Sequence, residues 1–338
     1  MDADAGGNNK LRELALEVLP GDHEMRLDLF LCDRLPWRSR NSIKKLIAEG
    51  MVNFKNRVAS RKPSARVKSG DQIAVTIPLP KPHPVDSAFD EGKLDFEIIH
   101  EDRWILAINK PAGIPVHPAG RLLERTVITA LRECYAPEHG LMPEEIKLCH
   151  RLDLETSGVL LVSRDPITMP TFSAQFEFRK VSKEYLAIVH GAVRKERGEI
   201  DLPIGVARNS KIHMKRAIRP GAGQPARTSF VVERRFRDFT LVRLRLHTGR
   251  HHQIRVHLSA IGHPIVGDKI YGLDENFFLT YIRQGRLDDE AMKRILLPRQ
   301  ALHSCTLRIH HVGLKKEMTF DAPLPDDLET FLKSCDGG

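Results

Sequence analysis

One run of residues could carry chemistry. His150-Arg151-Leu152-Asp153-Leu154-Glu155-Thr156-Ser157-Gly158 leads directly into the apolar stretch Val159-Leu160-Leu161-Val162. A carboxylate, Asp153, sits beside an arginine and a turn, just ahead of a strand. Loops at strand ends are where reactive groups are commonly placed. A plainer reading is that Asp153 caps the Thr156-Ser157-Gly158 turn through its side chain. The residue types alone leave both open.

Other matches fail on their own terms. Gly262-His263-Pro264-Ile265-Val266-Gly267-Asp268-Lys269 approaches a phosphate-binding loop, but no Ser or Thr follows the lysine. Ala107-Ile108-Asn109-Lys110 and His150-Arg151-Leu152-Asp153 look like kinase fragments without the glycine-rich loop or DFG that kinases need. Histidines 247, 251, 252 and 257 cluster in sequence with no carboxylate among them. A basic, His-rich helix beside RNA is the expectation there, and no metal site. The zinc-deaminase signature is missing too.

The elements that must position these residues follow from periodicity. Strands are expected at 104–109, 159–163, 185–190, 229–233, 240–247 and 305–309, and helices at 126–135 and 253–261. In the 240–247 strand Leu241, Arg243 and Arg245 interleave with Val242, Leu244 and Leu246. Many strands with few helices indicate an α+β fold with a mixed, largely antiparallel sheet. Ahead of it, residues 25–78 read as a small α+β unit with two helices and a few strands. Residues 1–24 read as a flexible leader, 79–86 as a proline-rich linker, 87–325 as the catalytic domain and 326–338 as a tail.

Composition bounds the function. The chain has 338 residues, 41% hydrophobic and 29% charged, which excludes disordered and fibrous classes. No apolar run reaches the roughly 18–20 residues of a membrane span. Five cysteines without a CxxC pair fit a reducing, cytoplasmic setting. The net charge is +9, and the stretch from Arg26 to Pro78 holds 12 basic against 4 acidic residues, a surplus of +8. A concentrated basic block indicates a polyanionic partner. Within it Arg26, Arg38, Lys44, Lys45 and Arg57 are the RNA-contacting candidates.

Several segments in order turn these fragments into a resemblance. They are Asn109-Lys110-Pro111-Ala112-Gly113; the His150–Leu161 run; Lys183-Glu184-Tyr185-Leu186-Ala187; the run from His247 through Gln253-Ile254-Arg255-Val256-His257-Leu258 to Gly267-Asp268; and Arg299-Gln300-Ala301-Leu302-His303. Over roughly residues 90–320 the chain resembles the RluA/RluD-type pseudouridine synthases. Residues 25–78 resemble the S-four-type (alpha-L) RNA-binding domain, through Arg26-Leu27-Asp28, Leu46–Val52 and Gly70-Asp71. Asn53-Phe54-Lys55-Asn56 departs from that domain's usual turn.

The resemblance implies an isomerase that converts uridine to pseudouridine in structured RNA without a cofactor. Ribosomal large-subunit RNA is favoured and transfer RNA is the alternative target. It implies Asp153 as the catalytic carboxylate, Arg255 as the cation that keeps it ionised, and Tyr185 as the residue stacking on the extruded uracil. Arg151 would fill the gap that the base leaves, or clamp a phosphate. Lys110, Arg250 and His252 would form the RNA-facing rim. A phosphate contact from a basic helix is the other reading of Arg255. A monomer with no membrane association is expected. Two readings from other classes stay open: a non-catalytic RNA-binding translation or ribosome-assembly factor, and a hydrolase of the glycosidic bond.

Overall fold

A computed structural model describes residues 11–35, 40–58, 60–78, 96–118 and 126–336. The chain divides into two units, the first built on residues 1–83 and the second on 84–116 and 126–338.

The first unit holds β1 (Leu11–Glu17), α1 (Leu27–Arg34), α2 (Arg40–Ala48), β2 (Val52–Phe54) and β3 (Gln72–Pro78). Its sheet has the order β1-β3-β2 and is antiparallel throughout. Leu27, Phe30 and Leu31 from α1 meet Ile43, Leu46 and Ile47 from α2 over Val52, Ile73 and Val75. Helix α2 ends at Gly50, whose φ of 76° lets the chain turn back.

Charge is built into this unit as well as onto it. Asp28 is fully buried and binds Arg26 Nε at 3.0 Å and Arg40 Nη2 at 3.0 Å. These bonds hold its carboxyl down at about 2, first through the Arg26 hydrogen bond and against the upward push of burial. Arg57 lies over the Phe54 ring at 4.0 Å and binds Asp71 Oδ2 at 2.6 Å. Arg26, Arg40 and Arg57 are therefore the cations that the unit's own carboxylates engage, and the net surplus of +8 rests on the other basic residues. The leader expected over 1–24 needs correction: β1 pairs along the whole of β3, and Val18 is buried. The inner strand β3 needs a neighbour on each edge, and the leader supplies one. The linker expected over 79–86 lies outside the described residues.

The second unit is organised by one ten-stranded sheet. It is made of β4 (Glu97–Glu101), β5 (Ile105–Lys110), β6 (Lys147–Leu148), β7 (Ser157–Ser163), β8 (Ser182–His190), β9 (Arg197–Asp201), β12 (Arg227–Arg235), β13 (Phe239–Leu246), β14 (Leu302–His311) and β15 (Lys316–Asp321). A separate hairpin pairs β10 (Ile204–Val206) with β11 (Arg216–Ile218). The main path runs β4-β5-β7-β14-β8-β13-β12-β9, and only β7 and β14 run parallel. The mixed, largely antiparallel α+β architecture read from the sequence is the observed one. Helices α3 (Val127–Ala130), α4 (Ala136–Glu138), α5 (Met169–Glu177), α6 (Gln253–Ala260), α7 (Glu275–Gln284), α8 (Asp289–Ile295) and α9 (Asp326–Cys335) complete it.

Both faces of the central strands are covered. Leu160 and Val162 pack into one core with Leu106, Ile108, Val242 and Leu244. Val159 and Leu161 pack into another with Ile105, Ala107, Leu307 and Ile309. That is why β7 reads as a continuous apolar run rather than an alternation. In β13, which has one open face, Val242 and Leu244 are buried, Arg243 is partly exposed and Arg245 is exposed. The tail expected over 326–338 carries α9, whose Leu328 is fully buried in the larger core.

Candidate active site

Sheet register brings the reactive candidates together. Asp153 lies in the loop that feeds β7. In β7 Gly158 pairs with Ser304 of β14, and Ser304 in turn pairs with Tyr185 of β8. Tyr185 therefore stands two strands from the end of the Asp153 loop, at the same level. Gly158 (φ 110°) is required at this crossing, because a Cβ there would run into the Ser304 carbonyl.

The third component arrives on α6. Its start is fixed by Gln253, whose Oε1 accepts from Thr248 Oγ1 at 2.7 Å and from the Arg250 N–H at 3.0 Å. Residues Gln253 to Leu258 are all buried. Arg255 reaches across and donates from Nη1 to Asp153 Oδ2 at 3.2 Å. Its Nε and Nη2 fork onto Asp268 at 2.7 and 2.9 Å. Asp268 is fixed in turn by the backbone N–H groups of Ile270 and Tyr271, at 2.9 and 3.0 Å. One guanidinium thus lies between two carboxylates, one fully buried and one facing a cleft of about 640 Å³.

The electrostatics follow from this sandwich. Burial by itself pushes the Asp153 carboxyl up. The Arg255 guanidinium overrides that push and holds Asp153 below the usual carboxylate range. Asp153 is therefore ionised at neutral pH. Arg255 is held above its ordinary value by Asp268 and Asp153, which outweigh its own burial. Burial raises the Tyr185 hydroxyl well above its ordinary value, so it is a neutral phenol.

A second layer supports the Asp153 loop from beneath. Glu155 accepts from Lys269 Nζ at 2.5 Å and from the Gln300 N–H at 3.1 Å. Gln300 Nε2 donates to Thr156 Oγ1 at 2.7 Å. Arg299 pairs with Asp327 of α9 at 2.6 Å and reaches the Glu155 carbonyl. His150 accepts from the Leu161 N–H at 3.0 Å and stacks on Phe176, 4.6 Å between centroids.

Several sequence expectations change. Lys110 is not a rim residue: it is fully buried, and its Nζ donates to the Pro111 and Leu154 carbonyls at 2.7 and 3.2 Å. It closes an inner strand, so it ends beneath the loop, and burial pushes it down to about 7. His252 is also buried rather than on the rim. The basic helix expected next to RNA is instead an interior helix. His257, for example, is fully buried between Thr228 Oγ1 and the Leu202 carbonyl, each at 2.9 Å. The phosphate-contact reading of Arg255 falls with it. Arg151 is exposed and lines the cleft, as does the partly exposed Arg250, which also donates to the Pro225 carbonyl at 3.1 Å. In the first unit Lys44 and Lys45 are exposed on α2, whereas Arg26 and Arg57 are engaged by Asp28 and Asp71. Arg38 lies outside the described residues.

Sequence reasoning missed Asp268 and Tyr271 as site residues. The Gly267-Asp268 motif was visible, but only the fold brings it beneath Arg255. The histidines do gain a carboxylate in space. Ligand atoms of Asp153, His251 and His252 fall within 4.8 Å of one another. The Arg255 guanidinium, already 3.2 Å from the same Asp153 oxygen, opposes a metal ion at that place.

The structure thus brings together an ionised carboxylate, a buried arginine and a tyrosine at an open cleft. Residues 104–260 match the family model described as RNA pseudouridylate synthase. The chain belongs to the RNA pseudouridine synthase family and is an isomerase acting on RNA. Within that family it is of the RluA/RluD type. It is 34% identical over 312 residues to the ribosomal large subunit pseudouridine synthase D of Zymomonas mobilis, covering 91% of this chain and 93% of that one. It is 36% identical over 266 residues to an uncharacterized RNA pseudouridine synthase of Aquifex aeolicus, covering 78% of this chain and 81% of that one. Among solved structures, human RNA pseudouridylate synthase domain containing 4 superimposes with a TM-score of 0.57 at 29% identity, over 71% of this chain and 93% of that chain.

Proposed function

We propose that this chain converts uridine to pseudouridine in ribosomal large-subunit RNA, with Asp153 as its catalytic carboxylate. The observation that carries the assignment is the ion pair of Asp153 with Arg255, 3.2 Å long and facing the cleft. The large-subunit target rests on what the relatives of the synthase D type are named for.

The reaction breaks the bond from ribose C1′ to uracil N1 and forms one from C1′ to C5. The C5 hydrogen leaves as a proton and N1 gains one, so no oxidant and no second substrate are needed. Asp153 acts either by attacking C1′ or by taking a ribose proton, and both roles need the charged form that Arg255 maintains. The Tyr185 ring offers the extruded uracil a stacking face, and Arg151 at the cleft edge takes the vacated place in the RNA stack. Lys110 holds the loop from below through the Leu154 carbonyl. Arg250 contacts RNA from the cleft wall.

The first unit supplies affinity, as an alpha-L-type RNA-binding module. Lys44 and Lys45 on the exposed face of α2 are the phosphate contacts, with Arg38 beside them in sequence. The enzyme works as a cytoplasmic monomer. No helix of the described residues is long and apolar enough to cross a membrane.

Two measurements test this reading. Incubated with unmodified transcripts, the protein is expected to form pseudouridine at defined positions of large-subunit ribosomal RNA. Conversion of transfer RNA alone would overturn the target. Replacing both Lys44 and Lys45 by Ala is expected to flatten the dependence of log Kd on log salt by about 0.7–0.9 per lost phosphate contact, with kcat unchanged. An unchanged slope would remove α2 from the RNA interface.

A further inference from the structure

His252 combines burial with an unusual backbone. It is buried, and its backbone is left-handed, with φ at 57° and ψ at 21°. A residue other than glycine in that region is strained and persists only where its surroundings over-determine it. Glycine or asparagine would start α6 in the same conformation with less strain. Something in the side chain must therefore matter.

The ring is held at one end and aimed at Asp153 with the other. His252 Nδ1 lies 2.9 Å from the Tyr271 hydroxyl oxygen, which also accepts the Arg216 N–H at 2.8 Å. A phenol has one hydrogen to give. Donating it to Nδ1 satisfies both groups, whereas the reverse leaves that hydrogen without an acceptor among the described residues. The imidazole is then in its Nε2–H form, and Nε2 lies 3.8 Å from Asp153 Oδ2.

The ring is also neutral. Burial pushes it down to about 3, and Arg255 and His251 push the same way, with Asp153 and Asp268 opposing. Tyr271 faces it edge-on and His251 lies 4.0 Å away, between centroids. His251 in turn accepts from Arg216 Nε at 3.3 Å. The turn that orients His252 also orients Arg255. The Arg255 guanidinium lies over the Tyr271 ring at 5.1 Å, and the Tyr271 N–H donates to Asp268.

We propose that His252 is a positioning residue for the isomerisation: its Nε2–H, oriented by the Tyr271 hydroxyl, becomes the second fixed donor to Asp153 Oδ2 when RNA fills the cleft. Catalytic hydrogen bonds are often long in unliganded sites and tighten in the complex. With Oδ2 engaged by Arg255 and His252 together, Oδ1 is the oxygen left for the ribose. The inference rests on Asp153 being the catalytic carboxylate.

Three variants test it in single-turnover assays, with RNA affinity and thermal unfolding measured alongside. His252→Gln keeps an N–H at the reach of Nε2 and is expected to retain activity within about three-fold. His252→Asn suits the left-handed backbone but is too short to reach Asp153. It is expected to lose about ten-fold or more in rate with RNA affinity unchanged. Tyr271→Phe keeps the ring under Arg255 and is expected to slow turnover, with little further loss when combined with His252→Asn. The rate between pH 6 and 8 is expected to follow the same profile in the wild type and in His252→Gln.

Asn matching or exceeding Gln would show that only the backbone matters and would overturn the proposal. So would an acid limb in the wild type that vanishes in His252→Gln, because the ring would then be titrating. If the His252 variants fail to fold, full activity in Tyr271→Phe overturns it alone. Asp153→Asn in the same assay reports on the underlying reading: activity there would remove the catalytic carboxylate, whatever His252 does.

Discussion

Asp153→Asn is expected to abolish pseudouridine formation, with a loss of at least about 10³-fold in single-turnover rate. RNA affinity is expected to stay near the wild-type value. The substitution keeps the shape and one acceptor oxygen, so the Arg255 contact at 3.2 Å survives as a weaker hydrogen bond. What disappears is the charge, and with it both the nucleophile and the base. Stability is not expected to fall. Asp153 lies at the cleft rather than in the core, and Arg255 keeps its forked pairing with Asp268. Measurable turnover by a protein free of wild-type contamination would refute the assignment.

Arg255→Met is expected to damage both folding and turnover. Asp268 is fully buried and would lose the two N–H donors that the guanidinium gives it. Removing one partner of a buried ion pair costs about 3–5 kcal/mol. The effect on activity has a definite sign with pH. In the wild type the Asp153 carboxyl is held below the usual carboxylate range, so its charged form is complete throughout the neutral range. Without the guanidinium, burial is left to act and pushes the carboxyl upward. Activity is then lost as pH falls through the raised value, and the variant is expected to be less impaired at pH 8 than at pH 6. A loss that does not vary with pH would mean that Arg255 does not maintain the Asp153 charge. Lys44→Ala in the same assay is expected to weaken RNA binding and leave kcat intact.

The parts of this protein that were legible in the sequence share a physical reason. The central strands are buried on both faces, so Val159 to Val162 announce β7 by composition alone. Asp153, Tyr185 and Arg255 sit inside contiguous motifs, and the fold brings the three side chains to one cleft. What the sequence concealed depends on contacts between distant segments. Lys110 and His252 carry polar side chains that usually face water, and only the sheet register and the start of α6 show that both are interior. Asp268 lies 115 positions beyond Asp153, and its link to the site is a single shared guanidinium. Strand β1 lies within the expected leader and is stabilised by pairing with β3, some 60 residues later. Arg26 and Arg57 counted as free charge in the sequence, but the buried Asp28 and Asp71 pair with them where they stay partly exposed.

The central claim is that an ionised Asp153, paired with Arg255, moves the ribose from N1 to C5 of the same uracil. RNA carrying tritium at C5 of uridine tests it most directly. The account predicts that the wild-type protein releases tritium to water in step with pseudouridine formation, with no free uracil, and that Asp153→Asn releases none. Free uracil from the wild type, or tritium release that survives Asp153→Asn, would contradict it.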